Sequence, residues 1–189
     1  SIGVKVSGKE IFGNIGELSQ NILAQKIVDL DGTETGESLL NYSAECGAEL
    51  ICELLKTSSI NGKLPEGTPQ SGEASYTGII TKEDGKINWN DSTKTIEAKI
   101  RAYYPDPGCW CVEKNLPLRI HSAKMYTGDN KYENEPAGKV LEFSKAEGIF
   151  IKTGDGILVV TKLQRQGKNA MAYKDFMNGA RDFVGTILE

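Results

Sequence analysis

An α+β fold is predicted for this 189-residue chain, in which a helix leads into a small antiparallel β-barrel of the oligonucleotide-binding type. Three observations predict it. About five short segments after Pro107 carry apolar side chains at every second position, which is typical of half-buried strands. Turn residues separate those segments. Two earlier segments repeat apolar residues at helical spacing instead.

The first part of the chain predicts one strand followed by one long helix. The strand covers Asn21–Asp29, and Asp31-Gly32 marks a turn after it. The helix is predicted from Gly36 to Lys56, and Thr35 caps its first turn. These elements bury little surface by themselves, so this part is expected to need a missing layer or to pack on the second half.

A change of composition divides the chain. Residues 58–78 are rich in Gly, Pro, Ser and Thr and lack apolar periodicity, which predicts a linker between a segment at 1–57 and a domain at 79–189. Residues 1–78 carry five Lys/Arg and eleven Asp/Glu, a net charge of −6, whereas residues 79–189 carry 17 and 15, a net charge of +2. The second half is therefore the candidate for binding a polyanion, although the bias is small.

The domain at 79–189 is predicted to begin with a helix at Ser92–Tyr104. Ser92 is its N-cap, and Pro105 and Pro107 end it because the residue before a proline avoids helical geometry. A tight hairpin turn is expected at Gly154-Asp155-Gly156. The predicted strands are Cys109–Glu113, Leu118–Met125, Gly138–Phe143, Gly148–Thr153 and Gly156–Leu163, and a last helix covers Met171–Asn178 and ends at Gly179.

Composition excludes several classes of protein. Hydrophobic residues make up 39% and charged residues 25%, as in ordinary globular proteins. No apolar run approaches the roughly 20 residues of a membrane-spanning helix, and the first residues lack the features of a signal peptide. We therefore expect a cytoplasmic protein with no membrane partner. Four cysteines and one histidine lack the spacing of a zinc site, so reduced thiols and no metal are expected.

No motif of a catalytic site is present. The chain lacks GxxxxGK[ST], a GxGxxG after a strand, and GxSxG. Its single histidine, His121, lies within a predicted strand, where a half-buried structural role is expected. Glu83 and Asp84 lie beside turns, which is typical of solvated carboxylates. We therefore predict no catalytic residue in this chain.

Basic residues of the second half are the pattern that most suggests a binding site. Alternate residues of a strand share a face, so cations from neighbouring strands can line one groove and attract phosphate groups. Charge alone favours the alternative that they are solubilising side chains interspersed with acids. The candidate RNA-binding residues, expected to converge on one RNA-sized groove, are Arg119, Lys139, Lys152, Lys162, Arg165, Lys168 and Arg181.

Short motifs occur along the chain in a fixed order. From the end of the linker onward they are Ser75-Tyr76, Ile80-Thr81-Lys82-Glu83, Ile87-Asn88-Trp89, Ile100-Arg101-Ala102-Tyr103, Tyr104-Pro105-Asp106-Pro107-Gly108, Thr153-Gly154-Asp155-Gly156, Leu163-Gln164, Gln166-Gly167-Lys168 and Asp175-Phe176-Met177-Asn178-Gly179. Together they resemble the C-terminal domain of methionyl-tRNA formyltransferases. Upstream, Asn21-Ile22-Leu23-Ala24-Gln25 and Gly47-Ala48-Glu49-Leu50-Ile51 resemble the end of that family's catalytic domain.

The resemblance implies a function and a formyl donor. In that family the C-terminal domain holds initiator methionyl-tRNA, while the N-terminal domain transfers a formyl group from 10-formyltetrahydrofolate to the methionyl amine. The folate site and the Asn-x-His-x-Ser motif of that N-terminal domain have no counterpart here. We therefore expect residues 1–57 to be the tail of an α/β catalytic domain, and the chain alone to be inactive. The family's catalytic Asp falls at Leu18, with Glu17 as a possible substitute.

Two other interpretations stay open. A related formyltransferase that acts on a sugar nucleotide or on formyl-folate would share a similar C-terminal barrel, which then need not bind RNA. A packing or interaction module without a ligand also fits the near-neutral charge. The segments Gln164–Lys168 and Asp175–Gly179 favour the tRNA enzyme. An exposed apolar face on the first helix would in addition favour dimerisation.

Overall fold

The computed structural model of the protein describes residues 2–6, 9–12, 21–69, 77–129 and 131–189, and describes side chains from residue 21 onward. Glu17, Leu18 and the motif Ser75-Tyr76 therefore lie outside the described residues. The chain forms two compact units, Ser1–Gly78 and Ile79–Glu189. In the described part of the chain, no helix has both the length and the apolar character needed to cross a lipid bilayer.

The first unit contains short strands and one long helix. Its elements are β1 (Ile2–Val6), β2 (Lys9–Phe12), β3 (Asn21–Ile22), β4 (Ala24–Val28), α1 (Gly36–Asn61) and β5 (Thr68–Pro69). Strand β1 lies between β2, with which it is antiparallel, and β4, with which it is parallel. Strand β3 pairs with β5. The predicted strand at 21–29 is therefore two strands that pair with different partners.

Helix α1 begins as predicted but ends later. The Thr35 hydroxyl accepts the backbone N–H of Ser38, and the Ser38 hydroxyl accepts that of Thr35, which is a capping box. The helix continues to Asn61 and stops at Gly62, whose φ of 72° suits glycine. Residues 58–61, predicted as linker, are therefore helical.

The apolar residues of α1 are largely exposed within the described structure. Cys46 is its one buried residue, whereas Leu40 is 71% and Ile60 83% exposed. An ion pair of 3.0 Å between Lys26 Nζ and Glu49 Oε2 links β4 to the helix. Dimerisation through the exposed apolar residues of α1 stays a prediction.

The second unit is an antiparallel sheet with two helices. After a 3₁₀ turn at Glu83–Gly85, its elements are α2 (Thr93–Ala102), β6 (Cys109–Glu113), β7 (Leu116–Met125), β8 (Val140–Ser144), β9 (Gly148–Lys152), β10 (Ile157–Arg165), β11 (Met171–Ala172) and α3 (Tyr173–Asn178). The strands follow the order β6-β7-β10-β9-β8, and β11 pairs with β10. All five predicted strands are present, and none of their ends is shifted by more than two residues.

Two details of this unit differ from the predictions. The last helix begins at Tyr173, because Met171 and Ala172 pair with β10. A two-residue turn joins β6 to β7, where Lys114 and Asn115 have φ of 50° and 66°. Those left-handed conformations match the twist of a tight hairpin.

The predicted closed barrel is not found. Strands β6 and β8 end the sheet and do not pair with each other in the described residues. The last residues of the chain hydrogen-bond to both of these strands instead. The Val140 N–H donates to the Thr186 carbonyl (2.8 Å), and Val112 and Glu189 exchange backbone bonds of 2.6 and 3.1 Å. This short segment lacks a period-two pattern, so the sequence did not reveal its position.

The core of the second unit lies between the inner face of the sheet and the helices. Ile96 and Ile100 of α2 are buried there with Trp89, and Tyr103 packs against the same cluster. On the outer face, Phe150, Ile157 and Val159 form a separate cluster that packs against Tyr126, Tyr132 and Leu141.

The turn between β9 and β10 is fixed to the start of α2. The Asp155 carboxylate accepts the backbone N–H of Thr93 (2.7 Å) and its hydroxyl (2.9 Å). The Thr93 hydroxyl also lies 2.7 Å from that of Thr153. A Cβ at Gly154 would lie 2.1 Å from the Asn90 carbonyl oxygen, so this position requires glycine. The Thr153–Gly156 motif therefore has a structural role in joining the helix to the sheet.

Candidate nucleic-acid interface

One row of outward-facing side chains crosses three neighbouring strands. Arg119 of β7 lies opposite Trp110 of β6 and opposite Gln164 of β10. All three are half-buried, whereas the residues that flank Trp110, Cys109 and Cys111, are buried in the core. Strand alternation therefore separates a polar outer row from an apolar inner one.

These side chains line a cavity of about 240 Å³, which we call the Arg119 cleft. Its cations are Lys82, Arg119 and Arg165. Its remaining walls are Trp110, Pro117, Gln164, Gln166 and Gly167. Small-molecule pockets usually measure about 300–1,000 Å³, so the cleft is small enough to take a single chemical group of a larger ligand.

Trp110 and Arg119 are held in place by backbone carbonyls. The Trp110 indole N–H donates to the Lys82 carbonyl (2.9 Å), and the Arg119 guanidinium donates to the Pro107 carbonyl (3.3 Å). The Lys86 ammonium lies 5.7 Å from the centre of the Trp110 ring, in a cation–π contact. The two side chains are thus oriented before any ligand arrives.

Arg165 is engaged with the protein itself. Its guanidinium makes a bidentate ion pair with Glu113, whose side chain is 6% exposed, and the Nε–Oε2 distance is 2.8 Å. It also lies 4.6 Å from the centre of the Phe176 ring. The carboxylate raises the pKa of Arg165 above its usual value, chiefly by hydrogen bonding. This arginine therefore compensates a buried carboxylate and joins α3 to the sheet.

Gln164 connects the cleft to the turn that follows β10. Its side chain lies 2.9 Å from His121 Nε2, and its amide donates to the Lys168 carbonyl (2.6 Å). The ring of His121 makes an edge contact with Tyr104 at 6.2 Å. Lys168, which is exposed, is thereby held beside the cleft.

The charge of the Arg119 cleft is positive. Among the described residues no carboxylate lines it, whereas two other concave sites there carry acids. A cavity of about 430 Å³ in the same unit has Lys86 and Glu189 in its wall. A cavity of about 490 Å³ in the first unit has Asp29 and Glu34. Of these three sites, the Arg119 cleft is the one suited to an anion.

The predicted cations differ in their surroundings. Lys139 is half-buried and pairs with Glu135 at 2.6 Å, and Lys152 is buried, with backbone hydrogen bonds that connect it to Gly138 and Lys139. Lys162 on β10 and Arg181 after α3 are exposed. The structure brings Arg119 and Arg165 into one cleft with Lys168 at its edge. Convergence of all seven on one groove stays a prediction.

Several cleft residues were not predicted. Lys82 and Gln166 lie outside the strands, so strand alternation does not assign them to a face. Trp110 carried a usable signal, because it alternates with Cys109 and Cys111 in β6. The cleft could have been located from an outward-facing aromatic residue in one predicted strand and an outward-facing arginine in the next.

The cysteines of this unit, Cys109 and Cys111, are buried. Burial raises the pKa of the Cys109 thiol to about 11 and raises that of Cys111 further. Reactive thiols have lowered pKa values. The described residues contain no group of three or more His, Cys, Asp or Glu side chains placed to hold a metal ion.

Comparison with known proteins identifies related sequences. The family model of the formyl transferase C-terminal domain matches residues 79–181. The methionyl-tRNA formyltransferase of Treponema denticola is 39% identical over 169 residues, which cover 87% of this chain and 51% of that protein. That of Carboxydothermus hydrogenoformans is 32% identical over 188 residues, covering 99% of this chain and 59% of that protein. The chain thus spans about half the length of the curated relatives it matches.

Solved structures share the fold. HypX from Aquifex aeolicus, in a variant form, superposes with a TM-score of 0.68 at 18% identity over 93% of this chain and 31% of that one. HypX in complex with tetrahydrofolic acid gives 0.55 at 20% identity over 72% of this chain and 23% of that one. At such low identity the likeness concerns the fold alone.

Proposed function

This chain belongs to the formyl transferase C-terminal domain family, and from that membership we propose that it is the C-terminal part of a methionyl-tRNA formyltransferase. In this proposal residues 79–189 bind initiator methionyl-tRNA. A catalytic domain then transfers the formyl group of 10-formyltetrahydrofolate to the methionyl amine. The 39% identity to the Treponema denticola enzyme, over residues of both units, supports this choice of substrate.

The observation that carries the RNA-binding part is the Arg119 cleft, whose lining among the described residues includes three cations and no carboxylate. A preformed positive site attracts phosphate groups through sequence-independent electrostatics. Lys162, Lys168 and Arg181 are exposed cations of the same unit that would extend such a contact. Lys139 and Arg165 are paired with carboxylates, so we assign them smaller contributions.

The rest of the reaction is assigned to the part that the longer relatives have in addition. The folate complex in the comparison is that of HypX, and the present chain is proposed to supply neither the folate site nor the catalytic groups. We also propose a cytoplasmic location, where initiator tRNA meets the enzyme.

The proposal is tested by titrating the 189-residue chain with initiator tRNA. Binding is followed by fluorescence anisotropy at about 50 and about 200 mM salt. We expect binding that weakens as salt rises, because bound phosphates release counterions. The triple variant Lys82→Gln/Arg119→Gln/Lys168→Gln should bind more weakly and lower the salt slope by about one unit per lost phosphate contact. Lys145→Gln, an exposed lysine in the β8–β9 turn, is the control and should behave as the parent does.

The same titration separates the alternatives. If the triple variant bound tRNA as tightly as the parent, the Arg119 cleft would not be the RNA interface. If the parent bound no tRNA at either salt concentration, a formyltransferase for a small substrate or a packing module would fit better.

A further inference from the structure

We propose that the Arg119 cleft receives one unpaired nucleotide of the bound RNA, with its base against Trp110 and its phosphate at Lys82 and Arg119. The inference rests on the proposed function, because it names which part of an RNA occupies the cleft. It does not depend on which tRNA is bound.

The size of the cleft favours an unpaired nucleotide over a duplex. A duplex RNA presents its phosphates and the edges of its shallow groove on a broad surface, with the bases stacked inside. A cavity of about 240 Å³ admits a single group that projects from the RNA. Bases splayed out of single-stranded loops, bulges or ends are such groups.

The walls of the cleft match the parts of a nucleotide. Trp110 supplies an aromatic surface, and Pro117 an apolar one beside it. Stacking of bases on aromatic side chains is the usual way in which proteins hold single-stranded nucleic acid. Gln166 is exposed at the same cleft, and its amide both donates and accepts hydrogen bonds, as a base edge requires.

The charges of the cleft match the phosphate. The bond from Arg119 to the Pro107 carbonyl uses one of the five N–H donors of the guanidinium and fixes its orientation. Arg165 is neutralised by Glu113, so Lys82 and Arg119 carry the net positive charge. These two cations and Trp110 belong to one cleft, which is the arrangement that a base with its attached phosphate needs.

Tryptophan fluorescence reports directly on this cleft. The chain has two tryptophans: Trp89 is 4% exposed in the core, whereas Trp110 is half-buried and lines the cleft. The experiment titrates the 189-residue chain with a single-stranded RNA of six nucleotides and, in parallel, with the same sequence in a blunt duplex. We expect the single strand to quench the fluorescence and the duplex to leave it unchanged.

Variants assign the binding to the named residues. Arg119→Gln and Trp110→Leu should each weaken binding of the hexanucleotide, measured by anisotropy, by about tenfold or more, as expected when a stacking or charge contact is lost. Trp110→Phe retains an aromatic surface and should stay within a few-fold of the parent. Lys145→Gln should have no effect. Urea unfolding of each variant checks its fold, and if Trp110→Leu does not fold, Arg119→Gln and Gln166→Ala decide.

The outcomes separate this inference from the proposed function. Salt-sensitive binding of tRNA without any response to the hexanucleotide would overturn the inference and leave the proposed function standing. Equal binding of the blunt duplex, or of an acidic hexapeptide, would also overturn it. A hexanucleotide that binds in a Trp110-dependent way, when initiator tRNA does not bind, would count against the proposed function instead.

Discussion

At the scale of single residues, Asp155 is exposed but holds the start of α2 in place. Its carboxylate accepts two hydrogen bonds from Thr93 at the first turn of α2, at 2.7 and 2.9 Å. We expect Asp155→Ala to lower the free energy of unfolding by about 1 kcal/mol, as loss of a helix-capping carboxylate does. Urea unfolding followed by tryptophan fluorescence measures it, and Glu147→Ala, at an exposed turn residue, is the control.

The same carboxylate gives that prediction a pH dependence. The bonds from Thr93 lower the pKa of Asp155 in the folded state. A group with a lowered folded pKa stabilises the fold above its unfolded pKa, and this contribution disappears as pH falls through the folded value. The difference between parent and Asp155→Ala should therefore be present near pH 7 and shrink in acid. A difference that is constant down to acid pH would rule out the carboxylate as its source.

Sequence reasoning found some of these residues and missed the role of others. Strand alternation is a local pattern, and in β7 it places the half-buried Arg119 between the buried Leu118 and Ile120. The engagement of Arg165 with Glu113 was not predictable in the same way, because 52 residues separate the two along the chain. A basic side chain looks identical in sequence whether it binds a ligand or compensates a buried acid.

At the scale of elements, the segment at 186–189 is held to both edges of the sheet. Leu188 is 2% exposed in the core, whereas its neighbour Ile187 is 56% exposed. We expect Leu188→Ala to reduce the free energy of unfolding by about 2–5 kcal/mol, because it leaves a cavity. Ile187→Ala is the matched control and should cost less than about 1 kcal/mol. Similar unfolding midpoints for the two variants would show that the segment does not contribute to the core.

The helices and strands of the second unit were predictable because each has a local signal. Ser92 caps α2 as expected, and its hydroxyl accepts the Thr95 N–H at 3.1 Å. Closure of the sheet had no such signal. The contacts from Val112 and Val140 to the last residues are irregular backbone bonds, so five strand patterns favoured a barrel whose strands do not in fact close on each other.

At the scale of the whole molecule, the two units differ in the number of buried apolar side chains that they contain. The second contains a cluster of buried side chains that includes Ile96, Leu118 and Phe183, and both tryptophans. We therefore expect residues 79–189, produced alone, to unfold in urea in a single cooperative transition close to that of the intact chain. Fluorescence detects it, and the intact chain is the reference. A gradual, non-cooperative change would show that the core depends on the first unit.

The helix pattern in the first part of the chain anticipated α1. The boundary between the units falls at Gly78, where the segment rich in Gly, Pro, Ser and Thr ends. The pairing of β1 with β4 could not be foreseen, because their sequences give no register. A strand pattern predicts which residues are extended, but not the strand with which they pair.

The strand order has a consequence for how the sheet assembles. The two-residue turn at Lys114-Asn115 and the short turn after β9 let two hairpins form from residues close in sequence. The central pairing joins Leu118 to Arg165 and Met125 to Leu158, and so requires closure of a much longer loop, which is entropically more costly and slower. We therefore expect the central β7–β10 pairing to form after the two hairpins, so its formation should limit the rate of refolding.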